Sequence, residues 1–167
     1  IELLIIDGQK DFCLPEGSLF VAGRSGRGAV EDTRRIASFI YRNLPHLTRI
    51  TPTMDTHFGW QIFFDRFWLD SAGQRPAPYS TISADDLRAG RYHLDPAVAQ
   101  LAPTDDGRPD YAWAERQVRF YAEAPEQAGK YQLTIWPYHC LLGSEGHALV
   151  GLLQEARMFH SAARQVQ

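Results

Sequence analysis

The first eight residues, 1-IELLIIDG-8, contain the signal that decides the fold. Their apolar run is closed by Asp7 and Gly8, a pattern typical of a strand that is covered on both faces in a parallel sheet. Apolar residues then recur at helical spacing from about residue 29 to residue 44, and residues 47–57 (LTRITPTMDTH) return to strand character. The order strand, helix, strand predicts a right-handed crossover between two parallel strands.

The predicted fold class is α/β, a parallel sheet flanked by helices, with a third strand at residues 131–136. The carboxyl ends of parallel strands share one edge of the sheet, and ligands bind at that edge. We therefore expect Asp7 and Asp55 to lie on the same edge. The whole chain, residues 1–167, is expected to form a single domain.

The middle of the chain reads as an insertion or lid at about residues 70–130, because it is rich in Pro, Gly and Asp. A short helix is predicted at residues 83–88, with its first serine as the N-cap. A longer helix is predicted from residue 111 to residue 124, where a proline follows. The last predicted helix runs from about residue 146 to the end of the chain.

Composition excludes several classes of partner. The chain has 17 basic and 20 acidic residues and a net charge of −3, so it lacks the positive charge with which proteins bind nucleic acid or anionic membranes. No apolar run is long enough to span a membrane. Two cysteines, Cys13 and Cys140, are too few for a disulfide scaffold and suit a reducing, cytoplasmic compartment. A small-molecule partner is expected, and self-association into a homo-oligomer is left open.

Three segments carry residues that could perform chemistry. Asp7 ends the first strand. Asp55 and His57 are two residues apart, so in an extended segment they project on the same side and could bind one cation, although His57 could equally be a hydrogen-bonded loop histidine. In TIWPYHCLLGS (134–144), His139 could be a third ligand, and Cys140 could be a ligand, a nucleophile or a buried thiol. Adjacent extended residues point to opposite sides, which argues against His139 acting as the base for Cys140.

In this order, the segments LLIIDGQKDFCLPEGSLFVAG, TMDTH and IWPYHCLLGSEG resemble the isochorismatase-like cysteine hydrolases, in particular their nicotinamidase-related branch. The resemblance implies a doubly wound α/β fold and makes Asp7 the general base of an Asp-Lys-Cys triad. It also implies that Asp55, His57 and His139 bind a divalent metal, often zinc. The implied reaction is hydrolysis of a small carboxamide such as nicotinamide through a thioester, with the metal holding the pyridine nitrogen.

The resemblance does not locate the other two members of the triad in this chain. Lys10 and Lys130 are the only lysines, and both lie in the wrong segments; Cys140 directly follows the expected metal ligand. The triad lysine and cysteine are therefore expected beyond Gln167, which makes the chain the N-terminal portion of the domain. One alternative is a non-catalytic isochorismatase-like binding or assembly module that has lost the triad. Another uses Cys140 as the nucleophile and Asp7 as its base.

Aromatic residues near the first two segments offer a wall for a flat ring, although clustered aromatics are more often core. The predicted substrate-binding residues are Phe12, Trp60 and Phe64.

Overall fold

The computed structural model describes residues 1–100 and 107–165. The chain divides into two compact units: unit 1 contains Ile1–Phe58 and Tyr138–Gln167, and unit 2 contains Gly59–Pro137. The elements in chain order are β1 (Glu2–Ile5), α1 (Lys10–Cys13), α2 (Gly28–Arg42), β2 (Arg49–Pro52), β3 (Trp68–Asp70), β4 (Thr81–Ile82), α3 (Ala84–Arg88), β5 (Tyr92–Leu94), α4 (Pro96–Ala99), α5 (Tyr111–Gln127), β6 (Leu133–Thr134) and α6 (Gly151–Arg164).

Unit 1 is built on the predicted strand, helix, strand sequence. β1 and β2 pair in parallel, with Leu3 opposite Ile50 and Ile5 opposite Pro52, and α2 connects them. Because the two strands run in the same direction, their carboxyl ends lie side by side. The backbone N–H of Asp7 donates to the hydroxyl of Thr53 at 3.2 Å, just beyond both strand ends. The predicted shared edge is therefore present.

The core of unit 1 lies between this strand pair and two helices. α2 and α6 pack against each other, since both have an amphipathic sequence with one apolar face. A buried leucine or isoleucine side chain contributes about 1.5–3 kcal/mol relative to an exposed one. The buried apolar residues of this core are Ile5, Ala37, Ile40, Leu47, Ile50, Leu153 and Ala156.

The other face of β1 differs from the sequence prediction. Leu4 is 57% exposed and Ile6 is 69% exposed, whereas Ile5 between them is 3% exposed. Alternate residues of a strand point to opposite faces, so one face of β1 is buried and the other is open. The prediction that this strand is covered on both faces is therefore wrong for the chain described by the structure.

Unit 2 has its own core and two short antiparallel strand pairs, β3 with β5 and β4 with β6. α5 contributes Ala114, Val118 and Ala122 to this core, which also contains Trp68 and Leu87. α3 begins at the predicted N-cap: Ser83 and Asp86 form a capping box, in which each side chain bonds the other residue's backbone N–H. The predicted insertion, residues 70–130, falls within unit 2, and residues 101–106 lie outside the described residues.

Three sequence predictions need correction. The expected third parallel strand at residues 131–136 is reduced to β6, which pairs antiparallel with β4 and not with β1 or β2. α5 continues through Pro125 to Gln127; a proline in the last turn removes only one helical hydrogen bond. α6 begins at Gly151 and not near residue 146, because the backbone of residues 146–150 makes other hydrogen bonds. The carbonyls of Gly146 and Ala148 accept from N–H groups of α1, and the N–H of Val150 donates to the carbonyl of Gly8.

Among the described residues, no helix is both long enough and apolar enough to cross a bilayer.

Candidate metal centre

Three side chains of unit 1 converge at the carboxyl edge of the strand pair. A carboxylate oxygen of Asp55 lies 2.8 Å from Nε2 of His57 and 3.5 Å from Nε2 of His139. The two imidazole rings are 4.7 Å apart between centroids and nearly perpendicular, at 73°. One ligand atom from each residue lies within 4.8 Å of the other two. The sequence-predicted ligand set is thus brought together in space.

Backbone pairing explains why residues so distant in sequence meet here. Asp55 and His57 lie on the segment that leaves β2, and His139 lies on the segment that returns from unit 2. The N–H of His57 donates to the carbonyl of Cys140 at 3.0 Å, and the N–H of Leu142 donates to the carbonyl of His57 at 2.9 Å. This short parallel bridge holds the two segments side by side and aims the two histidines at one carboxylate.

The donor set fits a first-row divalent ion. Two imidazoles and one carboxylate are ligands of catalytic zinc sites, which keep a further position open. Tetrahedral zinc with its usual bond lengths separates neighbouring ligand atoms by about 3.3–3.5 Å. The distance of 3.5 Å between the Asp55 carboxylate and Nε2 of His139 agrees with this value. The carboxylate and Nε2 of His57 are hydrogen-bonded at 2.8 Å and would have to separate by about half an ångström to bind the same ion. His139 is 6% exposed and Asp55 27%, so the cluster is partly open.

Asp7 lies just after the carboxyl end of β1, at the same edge of the strand pair, and has an unusual backbone conformation. Its φ is 51°, a left-handed value that short polar residues tolerate better than bulky ones. The hydroxyl of Thr53 donates to its carboxylate at 2.9 Å, which fixes the side-chain direction. Asp7 lines a cavity of about 390 Å³ together with Phe12, Cys13 and Thr33. This volume lies within the usual range of small-molecule sites.

Phe12 connects the cavity to the metal-ligand cluster. It lines the cavity, and its ring lies 5.6 Å from the ring of His139 between centroids. The other two predicted substrate-binding residues belong to unit 2. Trp60 is 40% exposed, whereas Phe64 is completely buried and has no surface to offer a ligand. Of the three, Phe12 is the residue that lies in the same unit as the candidate ligands, and its role stays a prediction.

Cys140 is a buried thiol. It has no exposed surface, and burial followed by the nearby carboxylate of Asp11 raises its pKa to about 12. A thiol with so high a pKa is not ionised at neutral pH and is a poor nucleophile. Burial also raises the pKa of Cys13, which is half-buried and hydrogen-bonds Thr33. The structure thus agrees with Cys140 as a packed neighbour of His139 and opposes the alternative in which it attacks the substrate.

The only two lysines of the sequence, Lys10 and Lys130, lie in different units. Lys10 pairs with Glu145 at 3.0 Å on the surface, and Lys130 lies in unit 2.

Two polar residues that the sequence analysis did not single out contact the ligand-bearing segments. Gln9 has no exposed surface and hydrogen-bonds the backbone of Asp55. Asp11 accepts from the N–H of Cys140, directly after His139. From sequence alone, polar residues such as Gln9 and Asp11 are expected at the surface. The one sequence feature that could have indicated a role at the site was their proximity to Asp7.

The fold defined by these elements is the isochorismatase-like α/β fold, as its similarity to solved structures shows. Two structures of the yeast nicotinamidase Pnc1p match with TM-scores of 0.51 and 0.53, and the second contains the inhibitor nicotinaldehyde. Sequence identity is 20% in both, and the match covers 99% of this chain and 54% of the nicotinamidase chain. The chain thus spans about half the length of these enzymes. No protein-family model matches the sequence, and no curated protein matches it.

Proposed function

We propose that this chain forms the metal-binding part of a cysteine hydrolase that converts a small carboxamide, such as nicotinamide, to the corresponding acid and ammonia. The observation that carries the proposal is the convergence of Asp55, His57 and His139, whose ligand atoms lie within 4.8 Å of one another. The fold supports it, because the chain shares that fold with a nicotinamidase. The cavity beside Asp7 supports it further, because its size suits a small substrate.

In this proposal Asp55, His57 and His139 hold a divalent first-row ion, with zinc favoured by the ligand types. When bound, the ion supplies a Lewis-acidic position that holds the ring nitrogen of a pyridine carboxamide. Phe12 offers an apolar face for the ring, since it lines the cavity and contacts His139. Fixing the ring in one orientation places the carboxamide carbon for attack and removes the entropic cost of finding that geometry.

Asp7 acts as the general base. Its carboxylate takes the proton of the attacking thiol and delivers it to the nitrogen of the leaving ammonia as the thioester forms and the C–N bond breaks. Water then adds to the thioester, the C–S bond breaks, and the acid leaves while the thiol regains a proton. The hydrogen bond from Thr53, at 2.9 Å, keeps the carboxylate of Asp7 oriented during both proton transfers.

The nucleophile and the triad lysine are assigned to sequence beyond Gln167. Cys140 is buried and has a pKa raised to about 12, and the pKa of Cys13 is also raised by burial. The carboxylates of Asp11 and Asp55 raise the pKa of Cys140 further, which is the opposite of the effect that activates a nucleophilic thiolate. Both cysteines are free, which agrees with the cytoplasmic location that forms part of the proposal. Assembly into a homo-oligomer is compatible with it.

Ammonia release by the full-length protein that contains this chain tests the proposal. With nicotinamide as substrate, Asp7→Asn should lower kcat by about 10²–10⁴-fold while the zinc content stays unchanged. His57→Ala should remove the bound zinc, measured by elemental analysis. His147→Ala is the control: its imidazole bonds Thr56 next to the centre but is not one of the three ligands. Zinc-loaded protein that releases no ammonia from nicotinamide or other small carboxamides would instead favour the non-catalytic binding or assembly module.

A further inference from the structure

Gln9 is a completely buried polar side chain whose hydrogen bonds go to the backbone of a metal-ligand segment. Its Oε1 accepts from the N–H of Asp55 at 2.7 Å, and its Nε2 donates to the carbonyl of the same residue at 2.7 Å. Nε2 also donates to the carbonyl of His147 at 2.9 Å. The amide thus bonds both backbone groups of Asp55 as a neighbouring strand would. A buried amide that lost these partners would be left with unsatisfied polar atoms, so the pairing fixes the backbone of Asp55.

Asp11 makes the equivalent contact with the other ligand-bearing segment. Its Oδ2 accepts from the N–H of Cys140 at 2.7 Å, and its Oδ1 accepts from the N–H of Ser18 at 3.1 Å. Cys140 has a φ of 47°, a left-handed conformation that is unfavourable for a residue other than glycine. A charge-assisted hydrogen bond is stronger than one between neutral groups and can offset that unfavourable conformation. The bond therefore holds the backbone next to His139 in the conformation it needs.

The carboxylate of Asp11 also fits closely against a neighbouring glycine. A Cβ added to Gly146 would overlap Oδ2 of Asp11, so only glycine leaves room for the carboxylate at this point. The backbone N–H groups of Lys10 and Asp11 donate to the carbonyls of Ala148 and Gly146, at 2.9 and 3.2 Å. Residues 9–11 are therefore held in place by residues 146–149 independently of the metal ligands.

Lys10, unlike its neighbours Gln9 and Asp11, makes no side-chain hydrogen bond to either ligand-bearing segment among the described residues. It lies between Gln9 and Asp11 in the sequence, but its side chain reaches a surface carboxylate, that of Glu145. The flanking side chains instead reach Asp55 and Cys140. Alternate residues of one short segment thus contact the two parts of the chain that carry the metal ligands.

We propose that Gln9 and Asp11 are positioning residues for the metal centre, with Gln9 fixing the Asp55 segment and Asp11 fixing the His139 segment. This inference rests on the metal site of the proposed function but does not depend on amide hydrolysis. Partners that orient metal ligands typically account for about 10–100-fold of metal affinity. Loss of either contact should therefore weaken zinc binding without removing a ligand.

Zinc affinity of the folded protein is the measurement, obtained by competition with a chromophoric chelator and supported by the visible absorption of the Co²⁺ form. Gln9→Met keeps the side-chain volume and removes the hydrogen bonds. Asp11→Asn keeps one acceptor oxygen, and Asp11→Ala keeps none. Lys10→Met, the same replacement at the adjacent position, is the matched control. Circular dichroism of the metal-free variants establishes that each is folded.

The expected result is a loss of zinc affinity of about 10–100-fold for Gln9→Met and Asp11→Ala, with a smaller loss for Asp11→Asn. Lys10→Met should stay within about twofold of the unchanged protein, since its surface pair contributes little. Folded Gln9 and Asp11 variants that bind zinc as the unchanged protein does would overturn the inference. If Gln9→Met does not fold, the two Asp11 variants decide the result.

Failure of the inference and failure of the proposed function give different results. Unchanged protein that binds no zinc would overturn both. Zinc binding that depends on Gln9 and Asp11 in a protein that hydrolyses no carboxamide would support this inference and reject the catalytic proposal.

Discussion

Replacing His139 by alanine should remove most of the stabilisation that zinc gives to unit 1. His139 is 6% exposed and offers one of the three candidate ligand atoms. Structural zinc sites with four ligands bind with about 10–16 kcal/mol, which is about 2.5–4 kcal/mol for each ligand. Since 1.4 kcal/mol is a tenfold change in affinity, loss of one ligand should weaken binding by roughly a hundredfold to a thousandfold.

This loss of affinity translates into a change of melting temperature. Free zinc at 100 times the dissociation constant stabilises the folded protein by about 2.7 kcal/mol. At the same zinc concentration, the His139→Ala variant should retain at most about 0.4 kcal/mol. For a cooperative unit of 60–100 residues, each kcal/mol shifts Tm by about 4–8 °C. Zinc should therefore raise the Tm of the unchanged unit 1 by about 10–20 °C and that of the variant by at most about 3 °C.

Calorimetry with and without zinc is the appropriate assay, because it records the transitions of both units. Tryptophan fluorescence identifies the transition of unit 2, since all four tryptophans, at positions 60, 68, 113 and 136, lie within Gly59–Pro137. His147→Ala serves as the control, because His147 bonds Thr56 beside the centre at 2.9 Å. A His139→Ala variant with the full zinc-induced shift, or a His147→Ala variant without it, would refute the assigned ligand set.

Three further outcomes follow from the structure. Gly146→Ala should lower zinc affinity about as much as Asp11→Ala, measured by chelator competition, because the added Cβ would occupy the place of the Asp11 carboxylate. Folding raises the pKa of the Cys140 thiol from 9.0 to about 12, so the folded state binds the thiol proton more tightly than the unfolded state does. The protonated thiol therefore contributes fully to stability below pH 9.0, and this contribution is lost as the pH rises towards 12. Urea unfolding across that range should show a shallower decline for Cys140→Ala, and an equal decline would contradict the assignment. Ser83→Ala should destabilise unit 2 by about 0.5–2 kcal/mol, since it breaks the capping box of α3, and an unchanged fluorescence-detected Tm would argue against that cap.

Local sequence patterns were sufficient to predict α2, the pairing of the first two strands and the N-cap at Ser83, because each depends on short-range signals. The spacing of Asp55 and His57 indicated a shared direction for the same reason. The apolar pattern at residues 131–136 indicated strand structure but not its partner. β6 pairs with β4, about 50 residues earlier in the sequence, and no local signal specifies that choice.

The positioning residues could not be predicted for a related reason. Gln9 lies 46 residues before Asp55, and Asp11 lies 129 residues before Cys140. A glutamine or aspartate after a strand is most often exposed, and only the folded backbone shows which distant N–H and carbonyl groups they satisfy. The candidate metal ligands followed from the resemblance to a known family, whereas the residues proposed to orient them required the structure.

The bridge between His57 and residues 140–142 has a consequence for how the chain tolerates change. The segment it closes is about 80 residues long and contains all of Gly59–Pro137. Closing a flexible loop costs free energy that grows only with the logarithm of its length, so doubling this segment would cost about 0.6 kcal/mol more. Residues inserted at exposed turns of unit 2, outside its buried core, should therefore leave the ligand cluster nearly unaffected. The ends of the segment are anchored by the part of the chain that carries the three candidate metal ligands, so a structural unit can be added between them while those ligands keep their places.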